Sequence, residues 1–304
     1  MKAFGLLLVL SVGLLGSSCT DRAGAQSTEA PAAATDGAPY VLRGTQVWAV
    51  PDPVSGRAYE VFVSLPASYQ TNPDRRYPVL YVTDADYAFP IIRQIARRVN
   101  LNGPVIEEFI LVGLSYSQGD SGVVSRNRDY TPTPSGPRNA GSVLHGGGPA
   151  YQTYLKTQAI PFVESRFRAN PSRRVLLGHS YGGLLGAQIL FTDPTLFRGY
   201  VLGSPSFWFD KRHIMTMEAE YARTHPDLPA DVFMYIGSYE VPGDNSRNAP
   251  VDMVNDLRAM EQVLISRDYP GLRIRSTVLE DEDHLTVAPV GFTRALMAVL
   301  PARN

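Results

Sequence analysis

Residues 57–66 (RAYEVFVSLP) alternate apolar and polar positions, the period-two pattern of a strand with one face in solvent, and residues 41–51 supply a partner. Together they predict an opening antiparallel hairpin. Four runs follow in which apolar residues are consecutive: 78–82 (PVLYV), 109–114 (FILVGL), 175–177 (VLL) and 232–236 (VFMYI). Each is short, rich in β-branched side chains and free of polar alternation, as strands buried on both faces are. A last strand is predicted at 272–279. Helical periodicity occupies 91–99, 151–167, 184–191, 254–267 and 290–299, with a polar helical segment after Trp208. Strands and helices therefore alternate as crossovers, which predicts an α/β class: a mostly parallel, doubly wound sheet with helices on both faces.

Two regions break the rhythm. Residues 115–149, rich in Gly, Ser, Pro, Arg and Asn, are too many for an ordinary connection and are expected to form a lid-like substrate loop. The triplet Gly146-Gly147-Gly148 near its end lacks a following Lys-Ser/Thr and any dinucleotide spacing, so a hinge or helix start is expected rather than a phosphate cradle. The other region is the N-terminus. Met1-Lys2 precedes an apolar run, 3–15, that has the charged start and short length of a secretory signal and not of a bilayer-spanning helix. Removal of 1–18 would leave Cys19 as the acylated first residue of a lipoprotein, whereas Ala23-Gly24-Ala25 offers ordinary cleavage after residue 25. Cys19 is the only cysteine, placed where lipidation requires it, which favours the lipoprotein. Residues 19–39 are too poor in large apolar groups to fold and read as a flexible tether. Residues 40–304 read as one domain.

Composition narrows the function classes. The chain has 304 residues, 44% hydrophobic and 19% charged, and Lys+Arg 28 against Asp+Glu 29 leaves a net charge of -1. That balance gives no footprint for nucleic acid, and a membrane is expected as partner only through a lipid anchor. With 26 Gly and 24 Pro, turns are many, as sheet-containing folds need.

The chemistry begins at Gly178-His179-Ser180-Tyr181-Gly182, a G-x-S-x-G sequence. A buried-type strand precedes it and a helix follows, so Ser180 is expected on the sharp strand-to-helix turn of a nucleophile. A serine hydroxyl needs a base. Of the five histidines, His179 lies inside the turn, His145 in the long loop, and His213 and His225 in a polar helical segment. His284 follows the last strand and precedes the last helix, where the base of such a triad arrives. The orienting acid belongs between them, after the strand ending at residue 236: Glu240 is the first carboxylate there and Asp244 the alternative. The acidic run 280–283 is not spaced as a cation loop and reads as solvated; no metal and no cofactor are expected. An oxyanion hole needs two backbone N–H groups, assigned here to Tyr181 and, in the turn after residues 78–82, to Ala85. The order Ser, acid, His is that of α/β hydrolases.

The segments YPVLYVTDAD (77–86), NRDYTPTP (127–134), GHSYGG (178–183), GSPSFWFD (203–210) and GSYE (237–240), followed by His284 in DEDHLTVAP, resemble the Putative esterase family of α/β hydrolases, of the esterase D type. They are most similar to its bacterial periplasmic siderophore esterases and related predicted hydrolases. Over residues 40–304 the resemblance implies the α/β-hydrolase fold, with Ser180 as nucleophile, Glu240 as acid, His284 as base, and Tyr181 and Ala85 at the oxyanion. Ala85 departs from a common Gly and Leu285 from a common small residue. The implied substrate is a small-molecule or glycan-linked ester: a siderophore ester, a feruloyl or acetyl ester of a polysaccharide, or a polyester. A catecholate–iron substrate would call for cations, for which Arg126, Arg128 and Arg138 are candidates, unless they pair with Asp129 or Asp120. Tyr87, Phe89, Tyr130, Phe207 and Trp208 are candidates for an aromatic wall or for core. The competing class is a catalytically silent binding module on the same fold.

Overall fold

A computed structural model describes residue 37, residues 39–135 and residues 144–302. Cys19, both cleavage points and Arg138 lie outside the described residues. The opening hairpin is present: β1 (Thr45–Ala49) runs antiparallel to β2 (Glu60–Ser64), with Thr45 opposite Ser64. In turn β2 lies antiparallel to β4 (Ile110–Leu114), Val61 facing Leu114. Every other pairing between strands of the sheet is parallel, joining β4 to β3 (Tyr77–Val82), then β5 (Ala169–His179), β6 (Gly199–Gly203), β7 (Asp231–Gly237) and β8 (Arg273–Leu279). The strand order across the 8-stranded sheet is β1-β2-β4-β3-β5-β6-β7-β8.

All residues of β3, β4 and β6 are buried, which is why their sequences lack polar alternation. Val79 and Tyr81 enter one core, Leu80 and Val82 the other. Helices α1 (Ala85–Val99) and α8 (Val287–Val299) cover one face. Helices α3 (Gly148–Tyr154), α4 (Ile160–Arg166), α5 (Tyr181–Thr192), α6 (Phe209–Thr224) and α7 (Met253–Ser266) contribute to the core on the other.

Several expectations are corrected. Strand β6 has no counterpart among the apolar runs, because its two glycines read as turn residues; in the sheet they give room to Val175 and Tyr235. The single helix expected at 151–167 is divided by a wider turn at Leu155–Ala159. Pro161 lacks the N–H that an unbroken helix would direct at the residue 157 carbonyl. The largest difference lies in the lid-like loop. Its described part contains helix α2 (Gly122–Asp129), capped by Ser121, whose side chain accepts from the Val124 N–H. Ser125, Asn127, Arg128 and Asp129 are buried, so α2 packs through polar partners and leaves no apolar periodicity to read. At the end of this region Gly147 caps α3, the helix start expected of the triplet.

Because β3, β5, β6, β7 and β8 are parallel, their C-terminal ends share one edge of the sheet. The segments that follow them carry Asp84 and Ala85, Ser180, Ser204 and Ser206, Glu240, and His284.

Candidate active site

Ser180 joins β5 to α5 with φ 59° and ψ -117°, a backbone conformation costly for any residue with a side chain. Hydrogen bonds hold it there: its N–H donates to the Gly203 carbonyl at 2.8 Å, and its own carbonyl accepts from Leu184 at 3.0 Å and Ser206 at 3.2 Å. The flanking glycines are required by space. A Cβ at position 178 would stand 2.1 Å from the Gly182 carbonyl oxygen, and one at 182 would stand 2.2 Å from Thr83 Oγ1.

From this turn a hydrogen-bonded chain crosses three loops. Ser180 Oγ lies 3.0 Å from His284 Nε2, and His284 Nδ1 lies 2.6 Å from Glu240 Oε2. A carboxylate only accepts, so Nδ1 carries the proton toward Glu240 and Nε2 turns a lone pair to the serine hydroxyl. Glu240 is completely buried, and its other oxygen accepts from Ser204 Oγ at 2.5 Å and the Gly237 N–H at 2.9 Å. Asp244 is exposed in the loop beyond; of the two carboxylates, Glu240 meets the imidazole. Ser180 Oγ also lies 3.3 Å from Ser206 Oγ, itself buried. Ser204 and Ser206 escaped the sequence reading because they follow the strand it did not recognise; the signal was the short Tyr200-Val201-Leu202 run before GSPS.

Ala85 and Tyr181 are the first residues of α1 and α5, where N–H groups have no intrahelical acceptor and the helix dipole favours negative charge. Gly182 abuts Thr83 and Asp84, so the two helix starts adjoin beside Ser180. The β3–α1 turn is held from the 115–130 region. Buried Asp84 accepts from Tyr116 Oη at 2.6 Å and Arg126 Nε at 3.1 Å, and its N–H donates to Tyr130 Oη at 3.3 Å. Arg126 also lies over the Tyr181 ring, 5.4 Å from its centroid. Arg128 is used differently: Nε and Nη2 donate to Asp129 at 2.8 and 2.9 Å and Nη1 to half-buried Asp120 at 2.6 Å, and Asp129 also accepts from Tyr59 Oη at 2.9 Å, which ties α2 to the segment before β2. Tyr130, Phe89 and Phe207 are buried. Tyr87 is half-exposed and stacks on Phe292, while Trp208 lies 6.1 Å from the Tyr181 ring. Of the residues expected to meet substrate, Tyr87, Trp208 and Arg126 therefore keep exposed surface near the turn, and Arg128 and Tyr130 serve the scaffold.

The acidic run is built in at one position. Asp283 Oδ1 accepts from the Leu285 and Thr286 N–H groups at 2.9 and 3.0 Å, capping the turn that carries His284. Arg247, from the loop after Glu240, donates to Asp283 Oδ2 at 2.7 Å and to the Asp281 carbonyl at 2.7 Å, tying the acid loop to the histidine loop. The Arg247 hydrogen bond, helped by the backbone donors, holds the Asp283 carboxyl down to about 2. A depressed carboxyl pKa stabilises above its unfolded value and loses that stabilisation as pH falls through the folded one. Arg247→Ala should thus lower Tm near neutrality by about 1–3 °C, the scale of a partly exposed ion pair. The gap to wild type, followed by calorimetry, should close as pH is taken from about 5 toward 2. A gap constant over that range would contradict the clasp. Among the described residues no three His, Cys, Asp or Glu side chains converge as a metal ion would need. A cavity of about 860 Å³ lies at the opposite edge of the sheet, lined by Val175, Gly199, Asp231 and Arg273, away from this chemistry.

Residues 53–245 match the family described as Putative esterase. The chain belongs to that family. This esterase is 26% identical over 273 residues to the ferri-bacillibactin esterase BesA of Bacillus subtilis (strain 168), covering 86% of this chain and 91% of the relative. Among solved structures, the siderophore hydrolase EstB from Aspergillus nidulans matches it with TM-score 0.73 and 25% identity over 87% of this chain and 97% of that one. The BES protein from Bacillus cereus shares the fold, with TM-score 0.74 at 23% identity over 88% of this chain and 99% of its own. Membership of an esterase family supports an enzyme over the silent binding module considered from sequence. The matched span contains Ser180 and Glu240 and ends before His284.

Proposed function

We propose that this esterase is an exported serine carboxylic-ester hydrolase acting on siderophore esters through a Ser180 acyl-enzyme. The observation that carries the reading is the continuous chain from Ser180 Oγ through His284 to buried Glu240, at 3.0 and 2.6 Å. His284 Nε2 takes the hydroxyl proton as Ser180 Oγ attacks the ester carbonyl, and Glu240 supports the imidazolium that forms. The oxyanion develops at the Tyr181 and Ala85 N–H groups. His284 then protonates the departing alkoxide, and a water repeats the sequence to release the acid and restore Ser180.

The substrate class draws on the relatives, a ferri-bacillibactin esterase and a siderophore hydrolase. Two features of the site support a bulky, anionic ester. The His284 side chain is 33% exposed and its neighbour Leu285 is 82% exposed, so the reacting groups stand at an open rim. Arg126, paired with Asp84, lies over the Tyr181 ring and keeps part of its guanidinium exposed beside the turn. Purified enzyme should hydrolyse linear and cyclic catecholate siderophores, followed by chromatography of the released acids, at a kcat/KM at least tenfold above feruloyl and acetyl-xylan esters. The reverse ranking would assign it to the polysaccharide esterases, and preferential release of soluble products from a polyester film would make it a depolymerase.

The export reading rests on Cys19, the one cysteine, after an apolar run and before the 20–39 segment. In a Gram-negative host, Cys19→Ser should move the protein from detergent-extracted membranes to the soluble fraction and abolish palmitate labelling. A wild-type mature protein beginning at Gln26, without lipid, would replace the anchor by ordinary secretion.

A further inference from the structure

His179, next to Ser180 in the G-x-S-x-G turn, takes no part in the proton path just described, yet its ring centroid is 4.8 Å from that of His284. Its Nε2 lies 2.9 Å from the His284 backbone carbonyl oxygen, and its Nδ1 lies 3.4 Å from Tyr235 Oη. A carbonyl can only accept, so Nε2 carries the proton, and the Nδ1 lone pair faces the Tyr235 hydroxyl. Tyr235 is fixed by volume: a Cβ at Gly203 or at Gly291 would come within 2.2 Å of its side chain. The ring of His179 lies nearly parallel to that of Tyr235, at 21° and 6.2 Å. A rigid column thus rises from β7 through His179 to the main chain of His284.

We propose that His179, with its tautomer set by Tyr235, is a positioning residue that holds the backbone of His284 so that its imidazole faces Ser180 Oγ. This rests on the reading of His284 as the general base. The loop carrying His284 has an exposed neighbour in Leu285, and Asp283 caps the turn from its outer side. The His179 donor fastens it from inside the protein. Because the base must meet first the serine proton and then the leaving oxygen, a small drift of its backbone lengthens both transfers. Burial and the neighbouring His284 charge push His179 down to about 3, so the donor stays neutral through the working pH range.

The test compares His179→Phe, which keeps a ring without a donor, His179→Gln, whose amide nitrogen can reach the same carbonyl, and Tyr235→Phe. Steady-state kinetics on p-nitrophenyl acetate are read together with Tm. The Phe variant should lose on the order of 10- to 100-fold in kcat with KM within about twofold, the cost of a misplaced group. The Gln variant should recover to within about threefold of wild type, and Tyr235→Phe should lose about threefold to fivefold through weaker control of the tautomer. A folded His179→Phe within twofold of wild-type kcat, or a folded Gln variant as poor as Phe, overturns the proposal. If His179→Phe does not fold, an unchanged kcat in Tyr235→Phe overturns it instead. His284→Ala in the same series separates the readings: retained activity there rejects the base, whereas full dependence on His284 with no His179 effect rejects the positioning alone.

Discussion

Replacing Ser180 by Ala is expected to lower kcat by about 10⁴- to 10⁶-fold, replacing His284 by Ala by a similar factor, and replacing both by little more than either. The non-additivity is the informative part. In the proposed mechanism Ser180 Oγ and His284 Nε2, 3.0 Å apart, perform one step, so once either is missing the other has nothing to act on. What survives should be the contribution of the proposed oxyanion donors, the Tyr181 and Ala85 N–H groups, which neither change removes. Single-turnover hydrolysis of a p-nitrophenyl ester measures all three variants. Multiplicative losses in the double variant would mean that the two side chains act independently, and the acyl-enzyme mechanism would fall.

Glu240→Ala is expected to cost about 10³- to 10⁴-fold in kcat, and Asp244→Ala less than about twofold. In the proposed mechanism Glu240 does not touch the ester; it orients the imidazole and balances its charge, which is why the cost is smaller than for Ser180. Its burial makes the position exacting. Three donors converge on the carboxylate, from His284 Nδ1, Ser204 Oγ and the Gly237 N–H. Glu240→Gln leaves a single acceptor oxygen for them. If that oxygen serves the Gly237 N–H, the amide NH₂ faces Nδ1 and favours the wrong tautomer of His284, so Gln should be nearly as poor as Ala. Asp244 is exposed, without a role in this network. A larger loss at Asp244 than at Glu240, with both variants folded by circular dichroism, would assign the acid to the other carboxylate.

The sequence by itself determined what depends on neighbours along the chain. Buried strands are visible because consecutive apolar residues are needed where both faces of a sheet are covered, as in 78–82 and 232–236. The Ser180 turn is visible because its glycines and flanking elements are local, and Glu240 and His284 because each follows a legible strand at its C-terminal end. Only the tertiary structure decided what depends on the partner across the sheet. Strand β6 carries too few apolar residues to announce itself, so Ser204 and Ser206 went unseen until β6 lay beside β5. Arg128 and Tyr130 resemble ligand-binding residues in a polar stretch; that Asp129, Asp120 and the Asp84 N–H engage them is settled by packing alone. The same holds for the choice of Glu240 over Asp244 and for the contact of His179 with the His284 carbonyl. Hydrogen bonds between loops far apart in sequence leave no periodicity in it, because the strand order that brings those loops together comes from burial of the whole sheet.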